Sequence, residues 1–100
     1  MVHHIVFWNL NEELSEKERK EAAKTVKKQL EGVKSEVSGV LSLEVVIDEL
    51  PSSNRDIALF SAFESVEALN AYQNHPAHAK AASYVGSVTY NRSCFDYEER

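Results

Sequence analysis

The sequence predicts an α+β domain of order β-α-β-β-α-β, with its helices on one face of an antiparallel sheet. Three observations predict it. Apolar residues alternate in four segments, the period of strands, and recur at spacings of three and four in two others, the period of helices. Right-handed crossovers then put both helices on the same side of one sheet. The 100 residues contain no repeat and no linker, so residues 1–100 are expected to form a single domain.

Val2 to Asn9 is the first strand, with bulky groups on both faces: Val2, His4, Val6 and Trp8 against His3, Ile5, Phe7 and Asn9. Ser15 and Glu18 form a capping box. Ala22, Ala23, Val26, Leu30, Val33 and Val37 follow at helical spacing, predicting a helix over about Glu16 to Lys34. Ser38-Gly39 breaks it. Val40 to Glu49 alternates, with Leu41, Leu43, Val45 and Ile47 on one face. Pro51 to Asn54 reads as a loop, and Asp56 to Phe63 as the third strand. Ser65 is an N-cap for a helix carrying Val66, Leu69 and Tyr72. His75-Pro76 interrupts that helix near Asn74, because the residue before proline is pushed out of the α region while proline suits a first helical turn. A short helix from Pro76 to about Tyr84 is closed by Gly86. Ser87 to Tyr97 is the last strand, with Val88, Tyr90, Arg92, Cys94 and Asp96 expected on one face and Thr89, Asn91, Ser93, Phe95 and Tyr97 on the other.

Helices on one side leave the other sheet face bare, yet the strands carry bulky apolar groups on both. A large bare apolar face is not expected of a soluble monomer. Packing against a second copy, sheet to sheet, covers it, so a homodimer is the expected partner state. A chain of this length also has a thin core of its own.

The remaining composition excludes several function classes. Hydrophobic residues make up 43 % and charged residues 27 %, a soluble globular balance. No apolar run approaches the ~20 residues of a membrane span, so no membrane partner is expected. The opening segment has no basic region and no small-residue cleavage site and is expected to be structure, not a signal peptide. From Glu12 to Glu36 seven acids balance seven bases, so the net charge of −5 comes from the rest of the chain. Nucleic-acid binders show a basic face; the lysines of the first helix read as a solvated surface, and no nucleic-acid partner is expected. The single cysteine, Cys94, excludes an internal disulfide and a cysteine-based zinc site; a small buried filler is expected there, in a reducing, cytoplasmic setting. Isolated glycines exclude phosphate-cradling loops.

The chemistry-bearing stretch is Tyr72-Gln73-Asn74-His75-Pro76-Ala77-His78. A neutral imidazole and a phenol make an acid–base pair for proton transfer beside a carbonyl. On an unbroken helix Tyr72 and His78 would stand about 120° apart, so their meeting depends on the break at Pro76. The structural alternative stands beside this: His75 caps the next helix, His78 is a half-buried, hydrogen-bonded histidine, and Tyr72 is a core aromatic. A metal reading needs His75 and His78 together with His4, and no acid accompanies that set locally.

His4-Ile5-Val6-Phe7-Trp8, Phe63 to Leu69, Tyr72 to His78 and the closing Phe95-Asp96-Tyr97 together resemble the stress-responsive dimeric α/β-barrel (Dabb) domain family over essentially the full length. The resemblance implies a ferredoxin-like subunit and a homodimer whose two sheets form a dimeric α/β barrel. It implies a protein binding a small apolar or aromatic molecule, most members having no established activity. A plant branch consists of polyketide cyclases that work without a cofactor, by aldol condensation. Its acid–base pair matches Tyr72 and His78, and its first-strand histidine matches His4. By that resemblance Tyr72 polarises a carbonyl, His78 takes the proton from carbon, and His4 shapes the pocket. Where that branch lines its pocket with aromatics from the first helix, this chain has Ala22, Ala23 and Val26. The expected site is Tyr72 and His78 as catalytic residues with His4, Val26 and His75 around the substrate, and with no cofactor and no metal. A related barrel family, the cofactor-independent monooxygenases of quinol-like aromatics, offers a further reading in which Trp8 and the tyrosines line the site.

Overall fold

The computed structural model describes residues 1–100. Strand β1 (Val2–Leu10) lies inside a four-stranded sheet of order β2-β3-β1-β4, with β2 at Val40–Val46, β3 at Ile57–Phe63 and β4 at Thr89–Glu98. All three pairings are antiparallel. Helices α1 (Glu16–Val33), α2 (Val66–Gln73) and α3 (Pro76–Val88) cover one face, and a 3₁₀ turn at Lys34–Glu36 follows α1. This is the ferredoxin-like α+β fold that the order of elements predicts.

The faces sort as the alternation requires in β1 and β3. Val2, His4, Val6, Trp8 and Leu10 are buried beneath the helices together with Ile57, Leu59, Ser61 and Phe63. From α1 they meet Ala22, Ala23, Val26, Leu30 and Val33. The predicted capping box starts that helix: Ser15 Oγ accepts from Glu18 N–H at 3.1 Å, and Glu18 Oε1 accepts from Ser15 N–H at 2.8 Å. Side chains of α1 also serve the outer strand β2. Lys27 Nζ donates to the Val45 carbonyl and Glu31 Oε2 accepts from Val45 N–H, occupying backbone groups that an edge strand otherwise leaves open.

Several boundaries and faces differ from the sequence reading, and each has a physical cause. Leu41 is exposed instead of sharing a buried face with Leu43 and Val45. A bulge between Val40 and Ser42 makes it the unpaired extra residue of β2. Val66 is exposed, because the first turn of α2 lies beyond the core that Leu69 and Tyr72 enter. Helix α3 runs through Gly86 to Val88, so the last strand begins at Thr89. The two faces of β4 also differ from the expected set. Thr89 pairs with Leu10 on the helix side, yet Cys94 pairs with Val6 and Asp96 with His4 on that same side. The reason is a second bulge opposite Trp8, where Asn91 takes φ 60°, a left-handed conformation that asparagine tolerates better than most residues. Arg55 secures the bulge, donating to the carbonyls of Phe7 and Asn91 and to Ser93 Oγ.

At the entry to β2 the chain passes close under α2. Gly39 has φ +84°, and a Cβ there would stand 2.8 Å from the Ala68 Cβ. Gly39→Ala should therefore lower stability by about 1–3 kcal/mol, from the backbone conformation together with the contact. A lower urea midpoint at unchanged slope checks this; an unchanged midpoint contradicts it.

Candidate functional site

The site begins with a missing hydrogen-bond donor. Proline has no N–H and its ring excludes the α conformation from the residue before it. Helix α2, capped by Ser65 Oγ on Ala68 N–H, therefore stops at Gln73. His75 is extended, with φ −74° and ψ 139°, and its Nδ1 accepts from Ala77 N–H at 3.0 Å. It is thus the N-cap of α3, with Pro76 in the first turn.

The break re-aims His78. Its ring centroid lies 4.5 Å from that of Tyr72, with 59° between the planes, so the structure brings the two together. Tyr72 is wholly buried, 5.0 Å from Phe63 and 6.5 Å from His4 between ring centroids. Its hydroxyl has no hydrogen-bond partner in the protein. Burial pushes the phenol pKa up to about 12, so it stays a donor at neutral pH. The His78 pKa is lowered, chiefly by desolvation and further by the charges of His4 and Arg92, against a hydrogen bond to the Gln73 backbone. A neutral imidazole thus stands beside a neutral phenol.

Both line a cavity of about 280 Å³ between sheet and helices. Its walls are mainly apolar: Val6 and Trp8 of β1, Leu59 of β3, Leu30 of α1, and Ala82 and Val85 of α3. His4 borders it, and Arg92 is its one permanently charged side chain. Val26 and His75 are placed elsewhere. Val26 is fully buried in the packing of α1 and does not reach the cavity. His75, spent on its cap, faces an open depression with Thr25 and Gln29 of α1. A metal set of His75, His78 and His4 is therefore not assembled.

Sequence reasoning missed the surroundings of His4. Its Nδ1 lies 2.5 Å from Asp96 Oδ1, a short charge-assisted hydrogen bond. Cys94 Sγ is 3.7 Å from the same nitrogen and 3.4 Å from the same oxygen. Cys94 is exposed, not a buried filler, since β4 is an outer strand of which Thr89 alone is buried. No local motif signals this group; it depends on the pairing of the first strand with the last. Leu30 is one helical turn beyond Val26 on the same stripe, and spacing does not say which turn borders the cavity.

These features define a ferredoxin-like domain with a buried phenol beside an imidazole in a cavity under its helices. Residues 2–99 match the family described as the Stress responsive A/B Barrel Domain, and the chain belongs to that family. Among solved structures it is similar to a dimeric protein of unknown function with a ferredoxin-like fold from Bacteroides fragilis, at 28% identity and TM-score 0.91, over 98% of this chain and 95% of that one. A Dabb family protein from Mesorhizobium loti shares 22% identity at TM-score 0.73, over 99% and 96% of the two chains. The hydroxynitrile lyase of Passiflora edulis has the same fold, at 18% identity and TM-score 0.78, over 96% and 90%. None of the curated proteins matches.

The His78 environment sets a pH dependence. The unfolded chain takes up a proton near 6.5 and the folded chain at lower pH, so stability is full above 6.5 and falls as pH drops through the folded pKa. The His78 ring resonances should titrate with a midpoint below 6.5, and His78→Gln should flatten the loss of stability on acidification. Tyr72→Phe should leave stability unchanged or raise it, by up to about 1 kcal/mol, since it removes a buried hydroxyl that bonds to nothing in the protein. Urea unfolding reads this; a clear loss would mean that the hydroxyl has a structural partner.

Proposed function

We propose that this chain is a homodimer whose cavity takes a small, mainly apolar or aromatic carbonyl compound, and that Tyr72 and His78 carry out proton transfer on it. The observation that carries the reading is the buried, unpartnered Tyr72 hydroxyl beside a His78 held neutral. A lone buried donor costs stability, and a ligand oxygen is the group that would satisfy it. The cavity lies near the low end of the ~300–1,000 Å³ typical of small-molecule sites, which favours a compact ligand.

The chemistry follows from the protonation states. Tyr72 O–H donates to the carbonyl oxygen and stabilises the charge that develops there. Neutral His78 accepts the proton from the adjacent carbon, giving an enolate and an imidazolium. The enolate carbon attacks a second carbonyl of the same molecule, forming a C–C bond and an alkoxide. His78 returns its proton to that alkoxide, so no proton is gained or lost over the cycle. This is the intramolecular aldol cyclisation of the cyclase branch. With a linear poly-β-ketoacyl thioester, the wild-type chain should speed ring closure. Tyr72→Phe and His78→Ala should each slow it by about 10²- to 10⁴-fold while the fold persists. Unchanged turnover in both variants excludes the pair. Trp8 on the cavity wall favours a second reading, oxidation of quinol-like aromatics, and oxygen uptake with a hydroquinone distinguishes the two.

The homodimer is supported by the bare sheet face. Phe60, Ile5 and Phe95 pair across three strands, with Tyr97 stacked on His3 beside them. Phe95 is 64% exposed and Phe60 43%. Such a cluster seeks cover, and the Bacteroides fragilis relative is described as dimeric. Light scattering should give twice the chain mass of 11.3 kDa, and Phe95→Glu should shift the protein to monomer. A monomeric wild type at micromolar concentration would overturn the assignment.

A further inference from the structure

We propose that His4, Cys94 and Asp96 form a binding site for a thiophilic divalent transition metal, zinc(II) being the ion that fits the ligand set. The three donors are a ring nitrogen, a thiol sulfur and a carboxylate oxygen, all within 4.8 Å of one another. The fold places them by strand geometry. Cys94 and Asp96 are two apart on β4 and point to the same face, and His4 stands opposite Asp96 in the β1–β4 register.

The spacing suits a tetrahedral ion. Bonds of about 2.3 Å to sulfur and about 2.0 Å to nitrogen and oxygen place sulfur roughly 3.5 Å from each of the other two donors. The observed separations are 3.7 Å to His4 Nδ1 and 3.4 Å to Asp96 Oδ1. Nitrogen and oxygen need roughly 3.3 Å in the same geometry and stand at 2.5 Å, where they share a hydrogen bond. Asp96 must therefore withdraw by about 0.8 Å, the difference between that tetrahedral spacing and the present one. Its side chain is 41% exposed and free to do so, whereas His4, 2% exposed, stays fixed.

Charge and hardness agree. Thiolate and carboxylate supply two negative charges beside a neutral imidazole, which balances a divalent ion. A thiolate in the set selects zinc over magnesium or calcium, which prefer oxygen alone. Binding replaces the Cys94 S–H proton, which leaves to solvent. It also requires His4 Nδ1 to offer its lone pair to the ion. Three protein ligands leave a fourth position for water or a ligand atom. The site uses neither Tyr72 nor His78, so its failure would leave the acid–base reading untouched.

Cobalt(II) titration of the full chain, carrying no added histidine tag, tests the site. The expected result is one ion per chain with a thiolate-to-cobalt charge-transfer band, displaced by zinc(II). Cys94→Ser should abolish the band. Cys94→Ser and Asp96→Asn should each weaken zinc binding by at least about a hundredfold, at or above the ten- to hundredfold cost of losing a mere supporting partner. Both lie on the exposed strand and should keep the fold, while His3→Ala should leave zinc binding unchanged. Absence of the band in the wild type overturns the proposal. So does a Cys94→Ser variant that binds zinc as tightly as the wild type, or binding that disappears in His3→Ala.

Discussion

Three helices on one side of a four-stranded sheet cover one face only, and much of this molecule follows from that limit. The core gathers on the covered face, where the even residues of β1 and the odd residues of β3 are buried. Ile5, Phe60 and Phe95 form an apolar band on the other. A larger protein would add a layer of its own. This one carries the complementary face in every copy, which is the condition for a symmetric pair. The apolar band and the cavity then lie on opposite faces of the same sheet, so a change at Phe95 does not touch Tyr72.

Within the covered layer, the interruption at Pro76 decides where Tyr72, His75 and His78 stand. A continuous helix would leave no short segment to be capped separately. The break places His78 against Tyr72 at 4.5 Å and commits His75 to its cap. The Tyr72 hydroxyl is buried with no partner in the protein, a state it shares with His3 Nε2 and Arg55 Nε. Local conflict with otherwise consistent packing is what a binding or catalytic position looks like in physical terms.

Local rules made much of this legible from the residues. The capping box at Ser15, the stripe from Ala22 to Val33, the Ser65 cap and the helix break at His75-Pro76 each depend on a few neighbouring residues, and the structure contains all four. The meeting of Tyr72 with His78 was readable as a consequence of the break. What stayed hidden depends on contacts far apart in the chain. Asp96 reaches His4 through strand pairing across 92 residues. Leu30 in place of Val26 at the cavity wall, and the exposure of Cys94, depend on which part of each element its neighbours cover. Simple alternation failed at Leu41 and Asn91, where one extra residue resets the period.

The bulge at Asn91 has the widest consequences of these. Strict alternation from buried Thr89 would turn Phe95 and Tyr97 toward the helices and Cys94 and Asp96 toward the bare face. Charged and polar groups would then interrupt the apolar band, and His4 would lose its carboxylate. One left-handed residue in β4 exchanges the two sets, placing Asp96 beside His4 and Phe95 beside Ile5. Arg55 closes the exchange by satisfying the carbonyls of Phe7 and Asn91 at the irregularity. The same local distortion thus supplies the aromatic surface on one side of the sheet and the His4–Cys94–Asp96 cluster on the other. Neither could be moved to the opposite face without disturbing its counterpart.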